Sequence, residues 1–391
     1  MEELMKNSIF VKLLVLSIII AAVALFGYLI YKNNRFDISK LKPAISTGEQ
    51  GNLHIQGVAI DKKNGYLYYS YTDKIVKSDL EGNIIGSISG FFGHIGCIDY
   101  NENDGKVYAS LEYKHDVIGQ IVLAGNNVNE AFEDGFYVAI FDVDEIIEGD
   151  YSISEHPDMM KTVFLSEVLA DYKGIGFNKN GEEVPHKYGC SGIDGLCIAP
   201  LPGEESNKKF LYVAYGIYSD LNRDDNDHQV ILCYDLKSLL KHAKTFDQKA
   251  MHTDGPEKAD YRFFVYTGNT EFGVQNLAYD EKSNLILMAT YPGTKKEFEN
   301  YSLFAIDLAK KPTECQLKGI NETGLTLTLL SSDPTGNNPL SGWHSKLGVF
   351  GMCHIDDGYY YLAESKKLNG KYSANIHLHS FDTEKGFVPI A

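Results

Sequence analysis

One unit recurs five times in this chain: a glycine-studded apolar run, an apolar or aromatic strand, and a further strand that stops at an aspartate. HIQGVAIDKKNGYLYYS at 54–70 is answered forty residues later by HIGCIDYNENDGKVYAS at 94–110, with Gly65 and Gly105 in register. The apolar runs are QGVAID at 56–61, GCIDY at 96–100, GLCIAP at 195–200, VQNLAYD at 274–280 and GMCHID at 351–356. The strands that follow close on Asp79, Asp142, Asp235, Asp307 and Asp382. A carboxylate leaving a strand accepts a bond from nearby backbone and opens a turn. Aspartate at this register therefore has a structural role, and five of them do not indicate five catalytic groups.

Outer strands are expected in IIGSI at 84–88, TVFLSEV at 162–168, FFVYTG at 263–268, LTLTLL at 325–330 and FVPI at 387–390. Four short antiparallel strands per unit, repeated about five times, are the signature of a β-propeller. A four-stranded sheet with two apolar faces cannot stand alone, and stacking around an axis covers both. The pattern resembles the broad β-propeller superfamily over roughly residues 44–391, without the GH and WD dipeptides of WD-type blades, and the resemblance carries architecture only. The expected fold is all-β and five-bladed. Residues 111–135 and 148–190 are long enough to hold a sixth blade, and the ring closes through FVPI or through KPAIS near residue 43.

The N-terminus reads differently. Residues 13–31, LLVLSIIIAAVALFGYLIY, are nineteen residues without a charge, long enough for a membrane-spanning helix. The expected organisation is a tail at 1–12, an anchor at 13–31, a linker at 32–43 and one propeller at 44–391. A cleaved signal peptide and a buried helix are the rival readings. Lys6 and Lys12 precede the run while Lys32, Arg35, Lys40 and Lys42 follow it, which by the positive-inside rule favours a cytoplasmic domain. A lone N-terminal anchor commonly delivers its domain outside the cell, and the expectation is an extracytoplasmic propeller held by that helix, against the charge count.

A net charge of −17 argues against a nucleic-acid partner. Six cysteines in 391 residues do not make a disulfide scaffold; Cys97, Cys197 and Cys353 sit in apolar runs as buried thiols, and Cys190 with Cys197 is an open pairing. No nucleophile elbow, HExxH, CxxC or phosphate loop is present.

Inner-strand ends of a propeller surround a central channel, and the site search begins there. The repeat register makes His54 equivalent to His94 and Gln56 to Gln275, with Asp194 in the third unit and His354 slightly farther along in the fifth. Such a ring suits a polar ligand or a cation: Asp194 with His54 and His94 offers oxygen to calcium or imidazole to a transition metal. The same residues also serve by bonding backbone or channel water. His186 in HKYGCSGIDG, and Trp343 with His344 in SGWHSKLGVFG, lead into inner strands and are candidates to overlie the mouth. Asp220, Asn222 and Asp224 have the spacing that opens a calcium loop, but Asp225 replaces the glycine and no glutamate completes it. The expected function is binding of a protein, carbohydrate or small molecule; the alternative is a hydrolase or lyase over the channel, metal-assisted through a divalent cation such as calcium.

Overall fold

The inner strand Ile55–Asp61 is buried at every position, which a strand achieves only when both faces of its sheet are covered. The computed structural model explains the pattern. It describes residues 36–390 apart from 127, 129–131, 207 and 333–339, together with Leu16, Ile19 and Ile20. The sheets form a five-bladed β-propeller within one compact unit, Leu41–Ala391.

Blade 1 runs outward from Ile55–Asp61 through Tyr66–Tyr71 and Lys74–Asp79 to Ile84–Ser89. Blade 2 follows with His94–Asn101, Lys106–Tyr113, Gly135–Phe141 and Met160–Phe164. Blade 3 contains Cys190–Ala199, Phe210–Ile217, His228–Asp235 and Tyr261–Tyr266. Blade 4 has Thr270–Asp280, Leu285–Pro292 and Leu303–Asp307, and blade 5 has Met352–Asp356, Tyr359–Leu368 and Lys371–Asp382.

Separate apolar clusters fill the seams. Tyr68, Ile75 and Ile98 pack between blades 1 and 2, and Leu196, Tyr215 and Val138 between blades 2 and 3. Near the axis space is shortest. A Cβ on Gly57 would stand 2.7 Å from Ser70 Oγ and 2.8 Å from the Ile98 nitrogen, and one on Gly195 would stand 2.6 Å from Val274 Cγ1. Glycine at these inner positions is what lets adjacent blades meet.

Four of the five strand-ending aspartates accept turn N–H groups: Asp79 from Asn83, Asp235 from Ser238, Asp307 from Ala309, and Asp382 from Glu384 and Lys385. Asp142 differs, its carboxylate meeting the ammonium of Lys106.

Several expectations need correction. The strand expected at 162–168 ends at Phe164, because Ser166–Tyr172 winds into a helix. The run at 325–330 is divided: Thr323–Thr326 pairs in parallel with the outer strand of blade 3, while only Leu329 bridges to Ile306 of blade 4. The long insertions hold the helix Val117–Gly125, the short strand Gly149–Ser152 and the hairpin Ile175–Phe177 with Glu183–Pro185, and no sixth blade appears among the described residues. All six cysteines are free, so Cys190 and Cys197 are not paired.

The membrane anchor is also corrected. Among the described residues no helix is long and apolar enough to cross a membrane. Only Leu16, Ile19 and Ile20 of the 13–31 run are described, as helical positions, and the remainder lies outside the described residues. The single-pass placement, the signal-anchor and the membrane as a partner fall with that helix.

Closure uses both candidate segments. Lys371–Asp382 is twelve residues long, and its outer edge takes Gly386–Pro389 along one half and Ala44–Ser46 along the other. The second segment ties the last blade to the first: Ile45 lies against Gly82 of blade 1, and Thr47 Oγ1 is 2.6 Å from the Tyr71 hydroxyl. Ile45 is 3% exposed, so Ile45→Ala should cost about 2–5 kcal/mol in urea unfolding. Ile147→Ala, at a side chain 76% exposed, should stay within about 0.5 kcal/mol of the parent. Equal midpoints for the two variants would show that the Ala44–Ser46 strand contributes nothing to closure.

Candidate functional site

Each of the first four inner strands carries a register shift near its start: Ile55/Gly57, Ile95/Ile98, Ile193/Leu196 and Val274/Asn276. A bulge takes a residue out of the ladder and re-aims its side chain. The displaced positions include Gln56, Gly96, Asp194 and Gln275. In blade 5 the shift comes later, between His354 and Asp356. His354 does not join the ring: it stays in register opposite Tyr360, farther along its strand, and lies toward the opposite mouth, 3.3 Å from Asp280 Oδ1.

The other ring members form a chain of polar contacts across four blades. The Gln56 amide lies 2.9 Å from His94 Nε2, 3.2 Å from Thr72 Oγ1 and 3.3 Å from His54 Nε2. His94 Nδ1 is 3.2 Å from Glu112 Oε1, whose partner on the same oxygen is Lys114 Nζ at 2.6 Å. Glu112 Oε2 accepts the Ile193 N–H at 3.0 Å, and Lys114 donates to the Ser191 carbonyl at 2.7 Å. The Gln275 amide donates to Asp194 Oδ2 at 3.2 Å and to the Phe272 carbonyl. Asp194 Oδ1 is buried and has no hydrogen-bond partner among the described residues. It lies over Gly96, where a Cβ would be only 2.3 Å away.

Burial and charge divide the titrating groups. Burial pushes Asp194 up to about 6, although His94 pulls the other way. Burial, with His94 nearby, pushes His54 down to about 4 and keeps it neutral. For His94 burial opposes protonation, but the Glu112 hydrogen bond and the Asp194 charge outweigh it and its pKa is raised. Burial works against the Glu112 charge as well, and Lys114 and His94 together hold that carboxyl below its ordinary range.

An arc of aromatic rings accompanies this polar floor. Phe272 of blade 4 stands edge-on to Tyr291 at 5.7 Å, Tyr291 to Phe350 at 6.2 Å and Phe350 to His54 at 5.6 Å, with Tyr372 5.8 Å beyond. Phe272 is 50% exposed and holds φ at 58°, a left-handed conformation that a bulky residue rarely adopts.

The remaining candidates lie elsewhere. His186 belongs to the insertion before blade 3, its Nδ1 2.6 Å from the Tyr172 carbonyl and its ring between Tyr172 and Tyr218. Trp343 is buried against Phe381 in the seam between blades 4 and 5, and exposed His344 rests beside Tyr301. In the acidic loop, Asp220 caps the Asn222 N–H, and Asp224 faces Lys179 at 3.3 Å and Lys295 at 3.7 Å. The neighbouring buried carboxylates Asp225 and Asp227 are matched by Arg223 and Lys295. Protein cations thus occupy the positions a calcium ion would compete for. Among the described residues no group of three or more His, Cys, Asp or Glu side chains is arranged to hold a metal ion.

Sequence reading missed Glu112, Lys114 and the aromatic arc. The signal for the first two was present: LEYK places two charges around the end of the strand Lys106–Tyr113, and both are buried. The arc had no such signal, since its rings come from separate stretches of the chain, three on strands and Phe350 in a turn.

No known family matches the chain, and no curated protein matches it. Solved structures do. PorZ, a surface component of the type-IX secretion system of Porphyromonas gingivalis, is 12% identical with a TM-score of 0.34, over 82% of this chain and 31% of that one. The chain thus spans about a third of PorZ. A GH43_1 enzyme from Xanthomonas citri is 10% identical with a TM-score of 0.37, over 89% of this chain and 95% of that one. A protein of unknown function from Bacteroides caccae is 12% identical with a TM-score of 0.32, over 71% and 83% of the two chains. Likenesses this distant carry no argument about activity.

Asp194 gives the site a testable pH signature. Its pKa rises from 3.8 to about 6 on folding, so the native chain holds the extra proton in that window and stability falls as pH rises through it. Asp194→Asn keeps an acceptor for Gln275 and removes the charge. At pH 8 the variant should be more stable by roughly 1–3 kcal/mol, with the gain vanishing near pH 4. Loss of stability at pH 8 would mean that the carboxylate is already compensated.

Proposed function

We propose that this protein binds a small polyhydroxylated ligand, such as a saccharide unit, at the channel entrance. The observation that carries the reading is Asp194 Oδ1, a buried acceptor with no donor among the described residues. An unmatched buried oxygen costs roughly 1–3 kcal/mol, and a ligand hydroxyl placed on it would recover that cost. Gln275, bonded to the other oxygen of Asp194, supplies an amide group that both donates and accepts. The Phe272–Tyr291–Phe350 arc supplies a wall for the C–H face of a ring, the combination of an apolar surface with a few convergent polar groups expected of a ligand site.

Hydrolysis or elimination finds no comparable support. Glu112 is shared among His94, Lys114 and a backbone N–H, so it is not free to work opposite Asp194. His252 lies 2.8 Å from Thr162 Oγ1, but its Nδ1 accepts the Asp254 N–H. Its other nitrogen then carries the proton and cannot take one from Thr162.

The reading is tested by titrating monosaccharides and polyols into the purified chain with saturation-transfer NMR and calorimetry. A binder should be found whose affinity drops about tenfold or more in Asp194→Asn, equivalent to roughly 1.4 kcal/mol, and falls also in Phe272→Ala. A ligand whose binding survives both substitutions would place the site elsewhere. Absence of any binder would remove the saccharide reading.

A further inference from the structure

The opposite mouth of the channel opens into a second cavity of about 250 Å³, to which all five blades contribute. Its floor is apolar, built from Ile98, Leu277, Met352 and Cys353, and its walls include Tyr100 and Tyr279. Four carboxylates line it against two lysines. Lys62 lies 3.2 Å from Glu102. Lys209 places its ammonium over the Tyr279 ring at 4.7 Å, where its charge also acts on Asp99. Asp99 is further held by the Tyr100 and Ile198 N–H groups, each at 2.8 Å. That accounts for both cations.

Glu281 and Asp356 are left over. They come from adjacent blades 4 and 5, and neither enters an ion pair among the described residues. His354 lies on the strand of Asp356 and also lines the cavity. Burial holds it toward the neutral form, so it does not answer their charge. Its Nε2 is buried without a hydrogen-bond partner. The 3.3 Å approach to Asp280 is misaligned for a hydrogen bond. The cavity thus combines unanswered negative charge at its rim with an apolar floor. Its volume falls just below the range of drug-sized sites, which limits the occupant to a small molecule.

We propose that this exit mouth is a second site, independent of the entrance, that binds a small alkyl diamine. Its ammonium groups meet Glu281 and Asp356, and its methylene stem lies on Leu277, Met352 and Cys353. An anion would face the four carboxylates, and an uncharged alkane would leave the rim unpaired. A dication with a short apolar stem satisfies both parts of the lining.

The test uses 1,5-diaminopentane and its uncharged analogue 1,5-pentanediol, titrated calorimetrically at low ionic strength into the full chain. The diamine should bind one equivalent, and the diol should bind at least tenfold more weakly. The double variant Glu281→Gln/Asp356→Asn should weaken the diamine about tenfold or more, whereas Asp194→Asn at the entrance should leave it unchanged. Methyl NMR of the parent protein supplies a readout that needs no variant to fold: the Met352 resonance should shift on adding diamine. Equal binding of the diol, retained affinity in the double variant, a silent Met352 methyl, or loss through Asp194→Asn would each overturn the proposal. Only the last would bear on the entrance.

Discussion

Everything in this propeller follows from how little room five sheets leave one another at their shared axis. Gly57, Gly96 and Gly195 stand where the next blade's atoms occupy the place of a Cβ. Strands packed so closely cannot also direct long side chains inward along a regular ladder. Each of the first four strands is irregular near its start, with one register shift in blades 1 and 2 and two in blades 3 and 4, and the displaced residues include Gln56, Asp194 and Gln275 at the entrance. The constraint that makes the core apolar and glycine-rich also concentrates buried polar groups at the channel ends.

That polarity is arranged as a buried network. Lys114 answers Glu112, Glu112 holds His94, and His94 meets Gln56, so that three charged or titrating groups from blade 2 are mutually compensated. Removing one partner from such a set would strand the others. Asp194, from the adjoining blade, has only the Gln275 amide on one oxygen. Glu112 is thus bonded on both oxygens within the network, whereas Asp194 Oδ1 has no hydrogen-bond partner among the described residues.

Much of the fold was legible from the chain. The strand-ending aspartates, the glycine-studded inner runs and the five-fold recurrence required only local patterns, and the register that matched Gln56 with Gln275 was read from the same alignment. What escaped reading depended on tertiary placement. The Thr323–Thr326 segment looks like an outer strand of its own blade, yet it pairs with the blade before, a choice made by geometry between sheets. His354 was read as slightly farther along its unit than the other ring members, and that distance along the strand carries it to the other mouth. The aromatic arc is assembled from Phe272, Tyr291 and Tyr372 on three strands and Phe350 in a turn, positions that share no local pattern. Long apolar composition at 13–31 was read as a span, and no described helix has that length.

The outer edges have a consequence for how the chain leaves the ribosome. The edge of Ile84–Ser89 is covered by Gly149–Ser152, that of Met160–Phe164 by Lys244–Thr245, and that of Tyr261–Tyr266 by Thr323–Thr326. Each cover comes from chain synthesised after the blade it protects. Translation therefore releases every one of these blades with a bare hydrogen-bonding edge, and the defect is repaired only when the following segment emerges. Blade 5 inverts the order: part of its cover, Ala44–Ser46, is made first and must wait for the last strand. A nascent chain of this design always has one open edge on display, and translation pauses would lengthen the time for which a neighbouring nascent chain can pair with it.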